Sequence, residues 1–309
     1  MTTTSETGTI AAPELIDSIW LASALASALG RPGLTDEDPA VDVLAAAGLV
    51  ERSGAGWVLT EPLGPKARPE RSAMVREQLI SALGQAATIA VHGGGCGWEA
   101  NSDDVLLAAG RLSAARGLGH NFRTYIDTSP ELAAAYAACP VIIDVGVGVA
   151  AGACAMCEGL PEARVIGLDV NARALALARR LVAAKDLSHR IELRLQGVEE
   201  LEDVRAASLA HIPVRFIPRP DLTEGIRRLF CALRPGGLLF VSGVSSDGVL
   251  DRWQAYNTGG STVTPDECAA LLTAAGFETP RPAPSLPPEA PVVLLSTRPR
   301  DPSQEGESS

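Results

Sequence analysis

The sequence predicts an α/β protein: a doubly wound, mostly parallel sheet preceded by a mostly helical N-terminal region. Three observations carry this. From residue 140 onward, short apolar runs alternate with segments of helical periodicity, the pattern of strand–crossover–strand units. The apolar run Val141-Ile142-Ile143 stops in the glycine turn Asp144-Val145-Gly146-Val147-Gly148 and passes straight into a helix. A second apolar run, 164–168, ends in Asp169. A glycine turn between strand and helix lets a ligand approach the backbone, and an acid at the tip of the next strand can take both hydroxyls of a ribose. Together they point to a nucleoside-containing cofactor.

The elements follow in order. Residues 1–12 are small and polar and read as a frayed terminus. Residues 13–29 carry apolar residues at helical spacing, with Gly30 as a stop. A second helix ends at Ala47, and strand-like pieces at 48–52 and 57–60 flank a glycine hairpin. Helix, helix and hairpin in this order suggest a winged-helix module; the plainer reading is a helical cap with a hairpin. Residues 61–72, with several Pro and Arg, read as a linker, and 73–91 as a helix with an Ala-rich face. The segment 92–98 is a flexible glycine loop; no strand precedes it and no GKS or GKT follows, so it is not a phosphate loop. Helices are expected at 102–117 and 128–138. Strands at 140–145, 164–169, 190–195, 207–212, 237–242 and 291–296 then alternate with helices at 151–159, 171–185, 221–233 and 264–275. Residues 280–290 form a Pro-rich loop and 299–309 a charged, disordered tail. The expected domains are 1–100 and 101–298, followed by the tail.

Composition bounds the function. A chain of 309 residues that is 46% hydrophobic buries a sizeable core, built of Ala, Leu and Val because aromatics are only 4%. The net charge of -11 is poorly suited to neutralising phosphates, so nucleic acid is not an expected partner. A regulator binding DNA through the winged helix is a rival reading, but residues 33–47 hold Asp36, Glu37, Asp38 and Asp42 and no Lys or Arg. With no signal pattern and no 18-residue apolar run, neither secretion nor a membrane partner is expected, and the protein is read as soluble and cytoplasmic. Cys154 and Cys157 form a CxxC inside the helix after the glycine turn; without a second pair they read as small buried apolar residues, and no metal site is expected.

The choice of cofactor turns on charge. The run Gly146-Val147-Gly148-Val149-Ala150-Ala151 tolerates a dinucleotide pattern, but Asp144 directly before it would face a pyrophosphate. S-adenosylmethionine has no phosphate, and its amino group and sulfonium are cationic, so an acid beside it is favourable. At this point the sequence resembles the class I S-adenosylmethionine-dependent methyltransferases. VIIDVGVG (141–148) resembles their first motif and VIGLDV (165–170) their second; LRPGG (233–237) and LLTAAGF (271–277) resemble the turn after the fourth crossover helix and the helix before the final reversed strand. The likeness covers about residues 120–298. A winged-helix-like module ahead of this domain resembles the bacterial small-molecule methyltransferases, in which it helps to form a dimer and closes over the substrate; a homodimer is therefore implied. The resemblance implies S-adenosyl-L-methionine as cofactor, held by Asp144, Gly146, Gly148, Asp169 and Val170, with Gln196, Gly197 and Val198 around the adenine and Ser208 near the sulfonium. The chain departs from the pattern at three points: Ala150 replaces the third glycine, Gln196-Gly197 stands where an acid often meets the adenine, and Ser208 where an acid often meets the sulfonium.

Methyl transfer needs alignment, exclusion of water and, for a phenol or alcohol, a proton acceptor. His211, at the carboxyl end of the fourth strand, is the expected base; a packing histidine is the alternative. Trp98, His120, Tyr125 and Trp253 are the expected substrate contacts: Trp98 as a loop aromatic, Tyr125 before the first strand, Trp253 in the segment after the fifth. The expected activity is methyl transfer to a small molecule, a specialised metabolite. Reuse of fold and cofactor for cyclisation, decarboxylation or rearrangement is the alternative within the same fold.

Overall fold

The structure, a computed structural model, describes residues 12–29, 31, 33–54, 56–61, 63, 69–245, 248–283 and 292–300. The chain divides into two compact units, Met1–Ala87 and Thr88–Ser309. Residues 1–11, 284–291 and 301–309, which include most of the expected frayed terminus, Pro-rich loop and tail, lie outside the described residues.

The first unit holds α1 (Ala12–Ala28), α2 (Pro39–Ala46) and an antiparallel hairpin of β1 (Val50–Ser53) and β2 (Gly56–Leu59). Asp38 caps α2 by accepting from the Ala40 N–H at 3.0 Å, and Pro39 opens the helix, where its missing N–H costs nothing. Leu34 pairs with Trp57 beside the hairpin, and Ala28, Leu34, Val41, Leu44 and Val50 close a small core.

α3 (Pro69–His92) carries the chain into the second unit, beginning within the stretch expected to be a linker. There follow α4 (Asp103–Ala115), α5 (Leu118–Thr128), α6 (Pro130–Ala138), β3 (Val141–Val145), α7 (Ala151–Gly159), β4 (Arg164–Asp169), α8 (Ala172–Ala184), β5 (Ile191–Leu195), β6 (Ala207–Pro213), α9 (Arg219–Ala232), β7 (Leu233–Ser242), α10 (Val249–Thr258), α11 (Pro265–Ala274), β8 (Arg281–Pro282) and β9 (Leu294–Thr297). The seven-stranded sheet has the order β5-β4-β3-β6-β7-β9-β8. β5, β4, β3, β6 and β7 run parallel; β9 is antiparallel to both β7 and β8. The order reverses between β3 and β6. In open α/β sheets that switch point, at the carboxyl ends of the strands, is where ligands bind.

Alternate residues of each strand supply the two faces. On one face Ile142, Val165 and Phe240 meet α5, α7 and α8 through Phe122, Met156 and Leu175. On the other, Ile143, Leu168 and Leu239 meet α9 and α11 through Leu222, Ile226 and Leu272. Cys154 and Cys157 are buried in the first of these cores, and no group of ligands able to hold a metal occurs among the described residues. No helix among the described residues is long and apolar enough to cross a membrane.

Four elements depart from the sequence expectation, one of them β8, a short strand inside the stretch 280–290 expected to be a loop. α5 occupies the stretch left without an element between the helices expected at 102–117 and 128–138; Gly117, left-handed at φ 70°, ends one helix and lets the chain restart in the next. Leu233 begins β7 instead of ending α9, because Pro235 two positions on cannot continue a helix. α10 falls in a segment expected only to carry substrate contacts.

Candidate active site

The glycine turn follows β3 as expected. Gly146 and Gly148 adopt φ of 67° and 56°, which a side chain would strain. Ala150, at φ 62°, takes the same left-handed conformation just before α7, so its methyl group is held at a local conformational cost. The Val147 N–H donates to the Leu168 carbonyl at 2.9 Å, closing the turn over the end of β4. There the Asp169 carboxylate accepts from the Gly148 N–H at 2.7 Å and the Asn171 N–H at 2.8 Å. Burial raises the Asp169 pKa; the two backbone bonds oppose it, and the charges of Asp144 and Glu99 add to the rise. A carboxylate so placed keeps unused lone pairs. Asn171 is buried; its amide oxygen caps α8 by accepting from Arg173 and Ala174, while its Nδ2 is buried without a partner among the described residues.

Asp144 and His211 are register partners on β3 and β6, one on each side of the switch point. Asp144 Oδ1 lies 2.8 Å from His211 Nδ1, and His211 Nε2 lies 2.8 Å from Ser242 Oγ at the end of β7. Asp144 and His211 are buried, whereas Ser242 is half-buried. An ionised aspartate only accepts, so Nδ1 carries a proton; in the neutral imidazole Nε2 is then the acceptor of the serine hydroxyl. Phe240 backs the imidazole at a ring separation of 5.8 Å.

Aromatic residues collect nearby. Trp98 opens a short 3-10 turn, stands edge-on to Phe216 at 5.5 Å and packs against the cluster of Leu106, Val149, Ala174 and Leu177. Trp253 and Tyr256 lie on α10, half or more exposed, with ring centres 6.0 Å apart. The loop expected to be flexible is tied to α10: the Gly95 N–H donates to Asn257 Oδ1 at 3.1 Å, and the Gly97 N–H to the Asn257 carbonyl at 3.1 Å. A hollow of about 410 Å³ lined by Val141, Arg164 and Ile191 opens at the amino ends of the strands, opposite the turn, and does not belong to this site.

The structure therefore gathers Asp144, Gly146, Gly148, Asp169, Val170 and His211 at the switch point. Val170 is an exposed apolar residue beside Asp169. Gln196 follows β5, its N–H bonded to the Asp169 carbonyl at 3.0 Å, so the 196–198 segment lies next to the same acid; the Val198 side chain itself is core. Three expectations need correction. Ser208 is fully buried in the amino half of β6, paired with the Val141 carbonyl, because three further residues of strand carry the chain to His211 at the switch point. Tyr125 is a core residue, 6.2 Å from the Phe240 ring, where burial raises its phenol pKa. His120 is exposed on α5, and no hydrogen bond or ring contact of its side chain to a described residue ties it to the crevice. Ser242 was not anticipated: a serine ending an apolar strand carries no local signal until its neighbour in the sheet is known.

Residues 142–237 match the methyltransferase domain family. No curated protein matches the sequence. Among solved structures, the fold is similar to that of an O-methyltransferase family protein from Burkholderia thailandensis (15% identity, 95% of this chain and 99% of that one, TM-score 0.60). It is also similar to an O-methyltransferase from neocarzinostatin biosynthesis, solved with S-adenosyl-L-homocysteine and 1,4-dihydroxy-2-naphthoic acid (17%, 96% and 100%, TM-score 0.58). A third is human N-acetylserotonin methyltransferase in complex with S-adenosylmethionine (17%, 96% and 100%, TM-score 0.56). At these identities the likeness is one of fold.

Proposed function

Since the chain is a class I S-adenosylmethionine-dependent methyltransferase through its domain at 142–237, we propose that it methylates a hydroxyl of a small molecule, a specialised metabolite, with His211 as the base. The observation that carries this reading is the Asp144–His211 pair across the switch point.

The cofactor supplies a methyl group on a sulfonium, which departs as a thioether once an oxygen takes the methyl. The residues present fit it. Gly146 and Gly148 leave the backbone open to approach, and Asp144 Oδ2, without a bond to any described residue, would face the cationic part. Asp169 would accept from the ribose hydroxyls and the orphaned Asn171 Nδ2 would find an acceptor on the bound molecule. Val170 would pack on the adenine, bordered by Gln196, Gly197 and Val198. Trp98 and Trp253 supply flat apolar surface for an aromatic acceptor.

The chain also acts as a homodimer in this reading. Leu15, Ile16, Ile19 and Trp20 share one face of α1 and are all more than half exposed, an apolar stripe suited to a second copy. Six free cysteines suit a reducing compartment and support a cytoplasmic location.

Calorimetric titration tests the cofactor assignment. S-adenosylmethionine and S-adenosylhomocysteine should bind and NAD should not; binding of NAD alone would overturn it.

A further inference from the structure

We infer that Ser242 is the group that meets the acceptor hydroxyl, and that the proton reaches His211 through it. This rests on the methyl-transfer reading above. Both ring nitrogens of His211 are already engaged, Nδ1 by Asp144 Oδ1 at 2.8 Å and Nε2 by Ser242 Oγ at 2.8 Å. An acceptor therefore cannot reach the base without displacing the serine or working through it. Of the three residues, Asp144 and His211 are buried, while Ser242 is half-buried at the carboxyl end of β7, the side on which ligands of such sheets lie. Gly243 follows at φ 77°, turning the chain away directly after the hydroxyl.

The neighbouring groups leave this path as the open one. Phe240 covers one side of the imidazole and packs in turn against Phe122 and Tyr125 of α5. Arg215, which lies beside Gly243, donates through its two terminal nitrogens to Asp251 and Gln254, each at 2.9 Å, while its Nε is buried without a partner among the described residues.

The balance is simple. As the acceptor oxygen bonds to the methyl carbon, the carbon–sulfur bond breaks and its electron pair stays on sulfur. The acceptor O–H proton passes to Ser242 Oγ while the Ser242 O–H proton passes to His211 Nε2. Ser242 ends neutral, His211 ends as an imidazolium, and Asp144 stabilises that charge without taking the proton. Product release and loss of the proton to water restore the starting state.

Two measurements on the full chain test this. The first is nitrogen-15 NMR of the histidine side chains at alkaline pH, where His211 should be the Nδ1–H tautomer and Ser242→Ala should move its Nε2 resonance. The second is S-adenosylhomocysteine release over a panel of hydroxyaromatic acceptors of graded acidity, including 1,4-dihydroxy-2-naphthoic acid. Ser242→Ala should lower turnover by about 10²-fold or more for weakly acidic hydroxyls and by much less for acceptors already ionised, since general base catalysis is worth about 10²–10⁴. Ser242→Thr should recover most of the loss, and S-adenosylmethionine affinity should be unchanged in both. A loss independent of acceptor acidity, or none at all, overturns the relay. If wild type releases no methylated product with any acceptor, the methyl-transfer reading fails instead. The NMR result then decides the relay by itself: an Nε2–H tautomer, or an Nε2 resonance indifferent to Ser242→Ala, rejects it.

Discussion

Asp144 Oδ1 and His211 Nδ1 lie 2.8 Å apart on adjacent parallel strands, where the strand order reverses within the parallel part of the sheet. The same aspartate stands just before the glycine turn, so a single carboxylate borders both the cofactor crevice and the base. Replacing His211 with Gln should lower turnover by about 10²–10⁴, the range for loss of a general base, with S-adenosylmethionine affinity little changed. Asp144→Asn should lower turnover similarly, by favouring the wrong histidine tautomer, and should also weaken the cofactor. Steady-state kinetics beside calorimetry separates the two variants. Equal losses of affinity in both would reject the division of roles.

Asp169 should carry the ribose contact. Two hydrogen bonds to an ionised group are each worth about 1.5–3 kcal/mol, so Asp169→Ala should weaken S-adenosylmethionine by about 100-fold or more. Undiminished affinity in the titration would move the ribose elsewhere.

The raised pKa of Asp169 has a consequence for pH. A carboxyl whose folded pKa lies above its unfolded value contributes stability below the unfolded pKa and loses it as pH rises through the folded one. Before cofactor binds, this residue thus opposes the usual trend of carboxylates paired in the native state. Cofactor affinity should decline on acidification earlier than for an ordinary aspartate, because the ionised form is the better acceptor of the ribose hydroxyls. Calorimetry over a range of acid pH should show that decline in wild type and not in Asp169→Asn.

Much of this site was readable from local pattern. The strand-turn-helix at 141–151 and the acid at 169 rest on residues close in sequence, where glycine and apolar runs have strong local meaning. His211 was placed from its position at a strand end alone. Ser208 was misplaced because strand register decides which residue of β6 reaches the switch point, and a shift of three residues spans half the strand. Ser242 stayed hidden because its meaning lies in a partner 31 residues away. α5 did carry a signal, with Leu118, Phe122, Tyr125 and Ile126 at helical spacing and all buried, but Gly117 and Gly119 obscured its start.

The CxxC should be chemically quiet. Burial pushes the Cys154 thiol up to about 11 and raises that of Cys157, whereas Cys231 is exposed. Iodoacetamide on the native protein, followed by peptide mass spectrometry, should find Cys231 modified first and Cys154, Cys157 and Cys268 protected. Rapid modification of the CxxC would restore a redox or metal role.

Gly110 of α4 faces the glycine turn so closely that a Cβ there would collide with Val149 Cγ2. Gly110→Ala should force Val149 aside and cost about 1–3 kcal/mol, the usual range for overpacking. Denaturant unfolding measures the loss, and cofactor affinity should fall with it because Val149 belongs to the turn. A neutral substitution would show that α4 does not press on the turn.

Methyl transfer to oxygen is decided by incubation with S-adenosylmethionine labelled in its methyl group and a panel of hydroxyaromatic acceptors, read by mass spectrometry. Labelled methyl should appear on an acceptor oxygen, with one S-adenosylhomocysteine formed per methyl transferred and both lost in His211→Gln. An acceptor converted without gaining the label would contradict methyl transfer and assign this fold and cofactor to a different reaction.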